Sequence, residues 1–251
     1  MHLKFHSNQY SIKMENLITQ TSITEVDDVD DFKYNSTKII FLDKHIIDLN
    51  PTPMVSYLIE DNELINNAFK ALAETIPERN LYIDKNQDPN KNSILFDTQN
   101  AYVPGNKILE MDAPCVSTLN NIILQHITNL LKLYFHNNEW TVLITNSWIQ
   151  KYKDGSFLSP HNHMIINQQE PNFKYFSLAY YIDDGNPDDL HTFNGCITFQ
   201  VNQQLFHIRP KPGLLLIWES HLIHNVNPFF SKDNTERMML SANIICMPKR
   251  V

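Results

Sequence analysis

The sequence predicts a mainly β fold with flanking helices: a double-stranded β-helix, or jelly roll, with the N-terminal helices packed on one sheet. Three observations predict it. Two amphipathic helical patterns come first, before a strand-rich half. From Glu139 onward, about seven short apolar runs are punctuated by Gly, Pro, Asn and Asp, which fits two packed antiparallel sheets better than a parallel α/β sheet. With 251 residues, 42% of them hydrophobic, the chain has the material for one large β-rich core.

Residues 1–37 read as an N-terminal extension, and 38–251 as one domain that includes its supporting helices. The extension holds an acidic cluster, Glu25-Val-Asp-Asp-Val-Asp-Asp31, without helical or strand period, which reads as a solvated surface or an acidic docking segment. Thr37 to Leu42 reads as a strand, and Asp48 to Pro53 as a turn or extended segment. Asp61 is placed to cap a helix with Leu64, Ile65, Ala68, Phe69, Leu72 and Ile76 at helical spacing, ended by Pro77. Residues 78–113 are polar, with Pro89, Pro104 and Gly105, and read as a long loop forming a lid or a substrate wall. Ser117 opens a second helix, whose stripe is Leu119, Ile123, Ile127, Leu130, Leu131 and Tyr134. The strand candidates that follow are 140–152, 157–163, 175–183, 195–201, 204–209, 213–218 and 236–247.

Composition narrows the function classes. Lys+Arg number 20 against 28 Asp+Glu, a formal charge of −8, which disfavours a nucleic-acid partner. Three cysteines without a CxxC pair give no disulfide framework and fit a reducing compartment, the cytoplasm. The opening residues lack an apolar signal core, and no run of about 18 apolar residues is present to span a membrane. Nothing in the sequence specifies an oligomeric state.

The chemistry is concentrated in Gly155-Ser-Phe-Leu-Ser-Pro-His161-Asn162-His163. Two histidines at i and i+2 on a strand share a face. His224, arriving from a distant segment just after the apolar run Gly213 to Trp218, is positioned to close a metal site with them, with His221 as its internal competitor. Imidazoles suit Fe(II), Zn(II), Cu(II) or Ni(II). Downstream, Arg237, Met239, Ser241 and Asn243 share one face of the last strand candidate. An arginine pointing into a barrel needs an anion, since its charge is too costly to bury unpaired. A carboxylate gripped by both arms of the guanidinium is the natural partner, from a ligand or from an internal Glu or Asp.

Over roughly 45–251 these residues resemble the Fe(II)- and 2-oxoglutarate-dependent oxygenases, most closely the group found in marine bacteria and phages. The resemblance rests on Ser147-Trp148-Ile-Gln150, on Gly155 to His163, on Ser177-Leu-Ala-Tyr-Tyr-Ile182, on Asn194-Gly195-Cys-Ile-Thr-Phe199, on Pro212 to Trp218, and on His224-Asn-Val-Asn-Pro228 followed by Arg237, all in the expected order. It implies a dioxygenase that uses Fe(II), 2-oxoglutarate and O2 to hydroxylate a small-molecule or protein side-chain substrate, releasing succinate and CO2. His161 and His224 resemble the two histidine ligands, and Arg237 the residue that pairs with the far carboxylate of 2-oxoglutarate. Gln150 and one of Tyr180 and Tyr181 sit on strands suited to holding the cosubstrate; alternation turns only one of the tyrosines inward.

The chain departs from the family pattern at two positions. Where the usual triad has a carboxylate, this chain has His163, which either completes a three-histidine site with one negative charge fewer or points at substrate. Where the family's Arg-x-Ser has Ser, Met239 stands, with Ser241 on the same face as its substitute. Two other readings compete. A cupin-type metal dioxygenase would explain Gly155-x(5)-His161-x-His163, but Asn167 and Gln168 replace the expected Glu, and Leu216 the expected second-motif His. A non-catalytic metal-binding barrel would keep the histidines without the reaction.

Overall fold

The computed structural model describes residues 38–40, 44–48, 53–75, 79–80, 101–103, 107–135, 139–164, 170, 172–201 and 203–249, and it is mainly β with two helices. In chain order the elements are β1 (Lys38–Ile40), β2 (Lys44–Asp48), β3 (Pro53–Leu58), α1 (Glu63–Thr75), β4 (Arg79–Asn80), β5 (Ala101–Val103), α2 (Pro114–Tyr134), β6 (Trp140–Tyr152), β7 (Leu158–His161), β8 (Lys174–Asp183), β9 (Ile197–Val201), β10 (Gln204–Ile208), β11 (Leu214–Glu219), β12 (Ile223–Val226) and β13 (Arg237–Pro248). The extension and its acidic cluster lie outside the described residues, as does most of the polar loop; the parts of 78–113 that are described hold β4, β5, a 3-10 turn at Ile108–Glu110 and the first residues before α2.

The strands form two sheets. The larger has eight strands in the order β2-β3-β11-β8-β13-β6-β5-β4, and the smaller five in the order β1-β10-β9-β12-β7. One apolar core lies between the sheets, with Tyr152, Ala179, Tyr181, Leu216, Trp218 and Met239 from the large sheet meeting Ile197, Phe199 and Val226 from the small one. A second core lies on the other face of the large sheet, where Leu178, Tyr180, Leu215, Ile217 and Leu240 pack against Phe69 of α1 and Leu119, Ile123, Ile127 and Leu130 of α2. Burying a side chain of this kind contributes about 1.5–3 kcal/mol, so α2 alone, with five such residues at 0–1% exposure, is a major part of what holds this face.

The helices differ from expectation in ways that bear on the site. Asn62, not Asp61, takes the cap position of α1: its carbonyl accepts the Asn66 N–H at 2.8 Å, and its amide donates to Ile59 O at 2.7 Å. Leu64 is exposed, and Asn66 occupies the inner stripe instead, because its side chain accepts the buried Tyr180 hydroxyl at 2.6 Å. Helix α2 starts at Pro114, three residues before Ser117; proline suits the first turn, where its missing N–H has no intrahelical partner to lose. Strands β2, β3 and β12 were not among the strand candidates; β3 follows the Pro51-Thr-Pro53 break, and β12 is only four residues long.

Candidate metal centre

His161 ends β7, and His224 lies directly across from it on β12 in the antiparallel register of the small sheet. His163, two residues past β7, turns toward the large sheet. The three side chains bring one ligating atom each within 4.8 Å of one another, with ring centroids 4.3 Å apart for His161–His224, 5.1 Å for His163–His224 and 5.2 Å for His161–His163. The indole of Trp218 stands edge-on to His224 at 4.9 Å, and the Phe199 ring, itself packed against Trp218, lies 5.8 Å from it. His221, the competitor, faces Glu219 at 3.1 Å and stays outside the cluster.

Each imidazole is anchored through Nδ1. His161 Nδ1 donates to Ser159 O at 2.8 Å, His224 Nδ1 to Leu222 O at 3.0 Å, and His163 Nδ1 to Asn243 Oδ1 at 2.7 Å. A carbonyl oxygen can only accept, so these bonds put the proton on Nδ1 and leave every Nε2 lone pair unprotonated, the form that binds a metal. Burial lowers the pKa of all three; His224 is pushed down to about 3, first by burial and then by His161, against a small opposing effect of the Leu222 carbonyl. The cluster is neutral at physiological pH, ready to ligate without first losing protons.

The inner face of β13 leads away from this cluster. Asn243 touches His163; next comes Ser241, whose hydroxyl donates to Gln150 Oε1 at 3.3 Å; then Met239; then Arg237, only 1% exposed. The guanidinium packs over the Tyr152 ring at 4.2 Å and the Phe229 ring at 5.3 Å, and Nη1 donates to Gly195 O. Its Nε and Nη2 have no hydrogen-bond partner among the described residues, and neither do the Tyr152 and Tyr181 hydroxyls beside it. Gly195 is required here: its φ is +60°, and a Cβ would fall 2.6 Å from Arg237 Nη1.

Of the tyrosine pair, Tyr181 faces the inter-sheet side with Arg237, while Tyr180 points to the helix layer. The expectation for Tyr180 as a cosubstrate residue is therefore corrected: its partner is Asn66 of α1. Tyr180→Phe should cost about 1–2 kcal/mol in denaturant unfolding, because it leaves Asn66 Oδ1 without a donor, and should leave ligand binding untouched. A variant with full stability and weakened ligand binding would reverse that assignment. Tyr152, Trp148 and Asn243 also line the inner face, and the sequence singled out none of them for a role at the site.

No protein-family model matches the chain, and a search of curated proteins finds no match. Solved structures do match. A prolyl-4-hydroxylase from Pseudomonas putida is 12% identical with a TM-score of 0.51, over 81% of this chain and 96% of that one. HygX from Streptomyces hygroscopicus, solved with nickel, 2-oxoglutarate and hygromycin B bound, is 9% identical with a TM-score of 0.51, over 78% and 84%. A Trichoplax adhaerens prolyl hydroxylase in complex with a hypoxia-inducible-factor peptide fragment is 12% identical with a TM-score of 0.50, over 80% and 86%. At these identities the likeness is one of fold. The fold of this chain is thus one that hydroxylases use, and that in HygX holds a metal and 2-oxoglutarate; the three histidines form a candidate metal centre within it.

Proposed function

We propose that the protein is an Fe(II)- and 2-oxoglutarate-dependent dioxygenase on a double-stranded β-helix scaffold spanning 38–251, hydroxylating a small molecule or a protein side chain with O2 and releasing succinate and CO2. The observation that carries this reading is Arg237. A buried cation with two unpartnered nitrogens, on the strand face that also reaches the histidine cluster, calls for an anion. A dicarboxylate meets that need if one end lies at the metal and the other at the guanidinium. The unmet hydroxyls of Tyr152 and Tyr181 are further donors for the same ligand, and Gln150 and Ser241 line the stretch between.

In this reading His161, His163 and His224 hold iron through Nε2, and Arg237 with Tyr181 holds the far carboxylate. Bound iron supplies the oxidising chemistry with O2. The chain's own groups do the rest. The Nδ1 anchors keep the imidazoles in the ligating tautomer, the guanidinium fixes the cosubstrate's orientation, and Trp218 and Phe199 exclude water from one side of the cluster. Three buried free cysteines support a cytoplasmic setting, and no helix of the described residues is long and apolar enough to cross a membrane.

One observation favours a second reading. Where the 2-oxoglutarate-dependent family carries a carboxylate the cluster has a third histidine, and a cupin-type metal dioxygenase, which needs no 2-oxoglutarate, commonly binds its metal through several histidines. Anaerobic titration with Fe(II), with and without 2-oxoglutarate, separates the two. A visible charge-transfer band that needs both components, disappears in His161→Ala and weakens in Arg237→Met is the expected result. Iron bound with no such band would transfer the assignment to the cupin-type reading, and no iron bound at all would leave a non-catalytic barrel.

A further inference from the structure

We infer that Asn243 is a positioning residue that makes His163 a neutral third metal ligand, through a closed ring of hydrogen bonds; this rests on the proposed metal centre. The ring begins at the His163 backbone N–H, which donates to Ser220 O at 2.9 Å. The Ser220 hydroxyl meets the Ser177 hydroxyl at 2.9 Å, and Ser177 Oγ donates to Asn243 Oδ1 at 3.1 Å. The same Oδ1 accepts His163 Nδ1–H at 2.7 Å. Ser177 and Ser220 are 0% and 3% exposed, so water does not compete for the bond between their hydroxyls as it would at the surface. Because Ser177 gives its proton to Asn243, Ser220 must give its own to Ser177, and every donor in the ring has one acceptor.

The backbone aims Asn243 at this task. The β13–β6 pairing shifts register between Asn243 and Ile244, with Thr145 as the extra residue on β6. The bulged strand is β6; β13 itself keeps its period of two, which puts Asn243 on the face of Arg237, Met239 and Ser241, opposite Ser177 of β8. The Thr145 hydroxyl then donates to the Asn243 backbone carbonyl at 3.2 Å, pinning the bulge. His163 is thus held at its backbone by Ser220 and at its ring by Asn243, two residues that the ring itself connects. A side chain aimed at substrate would not need both its tautomer and its main chain fixed, whereas a metal ligand gains from both. An amide acceptor leaves the imidazole uncharged and only moderately basic, where a carboxylate acceptor would make Nε2 a stronger donor.

The test uses the full chain, stripped of metal, titrated with Co(II) against a competing chelator and followed by its visible absorption. Asn243→Leu keeps the approximate volume and removes the acceptor; Asn243→Asp keeps an acceptor that can do nothing but accept. Wild type should bind one Co(II), Asn243→Leu should bind it about 10–100-fold more weakly with an altered spectrum, and Asn243→Asp should bind at least as tightly as wild type. If Asn243→Leu does not fold, Asn243→Asp and Ser177→Ala decide the matter, the first keeping and the second weakening Co(II) affinity. Wild-type affinity and spectrum in Asn243→Leu, or in Ser177→Ala should Asn243→Leu not fold, or an Asn243→Asp that loses Co(II), overturns the inference while leaving the metal centre standing. No Co(II) uptake by wild type overturns both.

Discussion

Arg237→Met is expected to make the ligand-free protein more stable while nearly abolishing its response to 2-oxoglutarate. The two effects have one cause. The guanidinium is 1% exposed, and two of its nitrogens lack partners, so in the empty protein its desolvation is only partly offset by Gly195 O and the faces of Tyr152 and Phe229. Replacing buried charged groups by apolar side chains of similar volume is often neutral or stabilising by about 1–4 kcal/mol. Removing one partner of a buried charge pair costs about 2–5 kcal/mol of binding, and about 2.8 kcal/mol is a factor of about 100 in affinity. Urea unfolding of the apo protein and calorimetric titration with 2-oxoglutarate in the presence of Ni(II) read the two halves separately. A destabilised variant that binds 2-oxoglutarate as wild type does would mean that Arg237 is a structural residue whose unmet donors find partners elsewhere.

His224→Ala should remove metal binding altogether. His224 is the most deeply buried of the three histidines and faces both of the others, so its loss leaves two ligands on one short segment. A metal present at about 100 times its dissociation constant stabilises the folded state by about 2.7 kcal/mol. Thermal unfolding with and without Ni(II) should show that shift in wild type and none in the variant. The apo variant should itself lose stability, since Trp218 and Phe199 would border a cavity where the imidazole stood. An equal Ni(II)-induced shift in the variant would put the metal somewhere other than this cluster.

Much of this arrangement was legible in the residues, and the gaps have physical causes. The β13 face, with Arg237, Met239, Ser241 and Asn243 in line, follows from a period of two and is what the strand shows. The helix layer follows from a period near four in α2, whose stripe is buried as spaced. Alternation could not choose between Tyr180 and Tyr181, because β8 is covered on both faces and its residues from Phe176 to Ile182 are all buried. Strand β12 hid in a four-residue segment with polar His224 and Asn225 in the middle. The role of Asn243 was out of reach, since it depends on a contact across 80 positions that no local pattern announces.

The placement of β13 also dictates when the centre can come into being. It is the latest described strand in the chain, yet it stands inside the large sheet, joining β6 to β8 along nearly its whole length. While the chain is being synthesised, β6 and β8 emerge long before the strand that must separate them, and each waits with an open edge. His161, His163 and His224 are all made by then, but the acceptor for His163 is still to come. A nascent chain therefore carries three histidines without the Asn243 acceptor, and the cluster is completed only at the end of folding. The same topology makes folding slow, because its decisive contacts are the most distant ones.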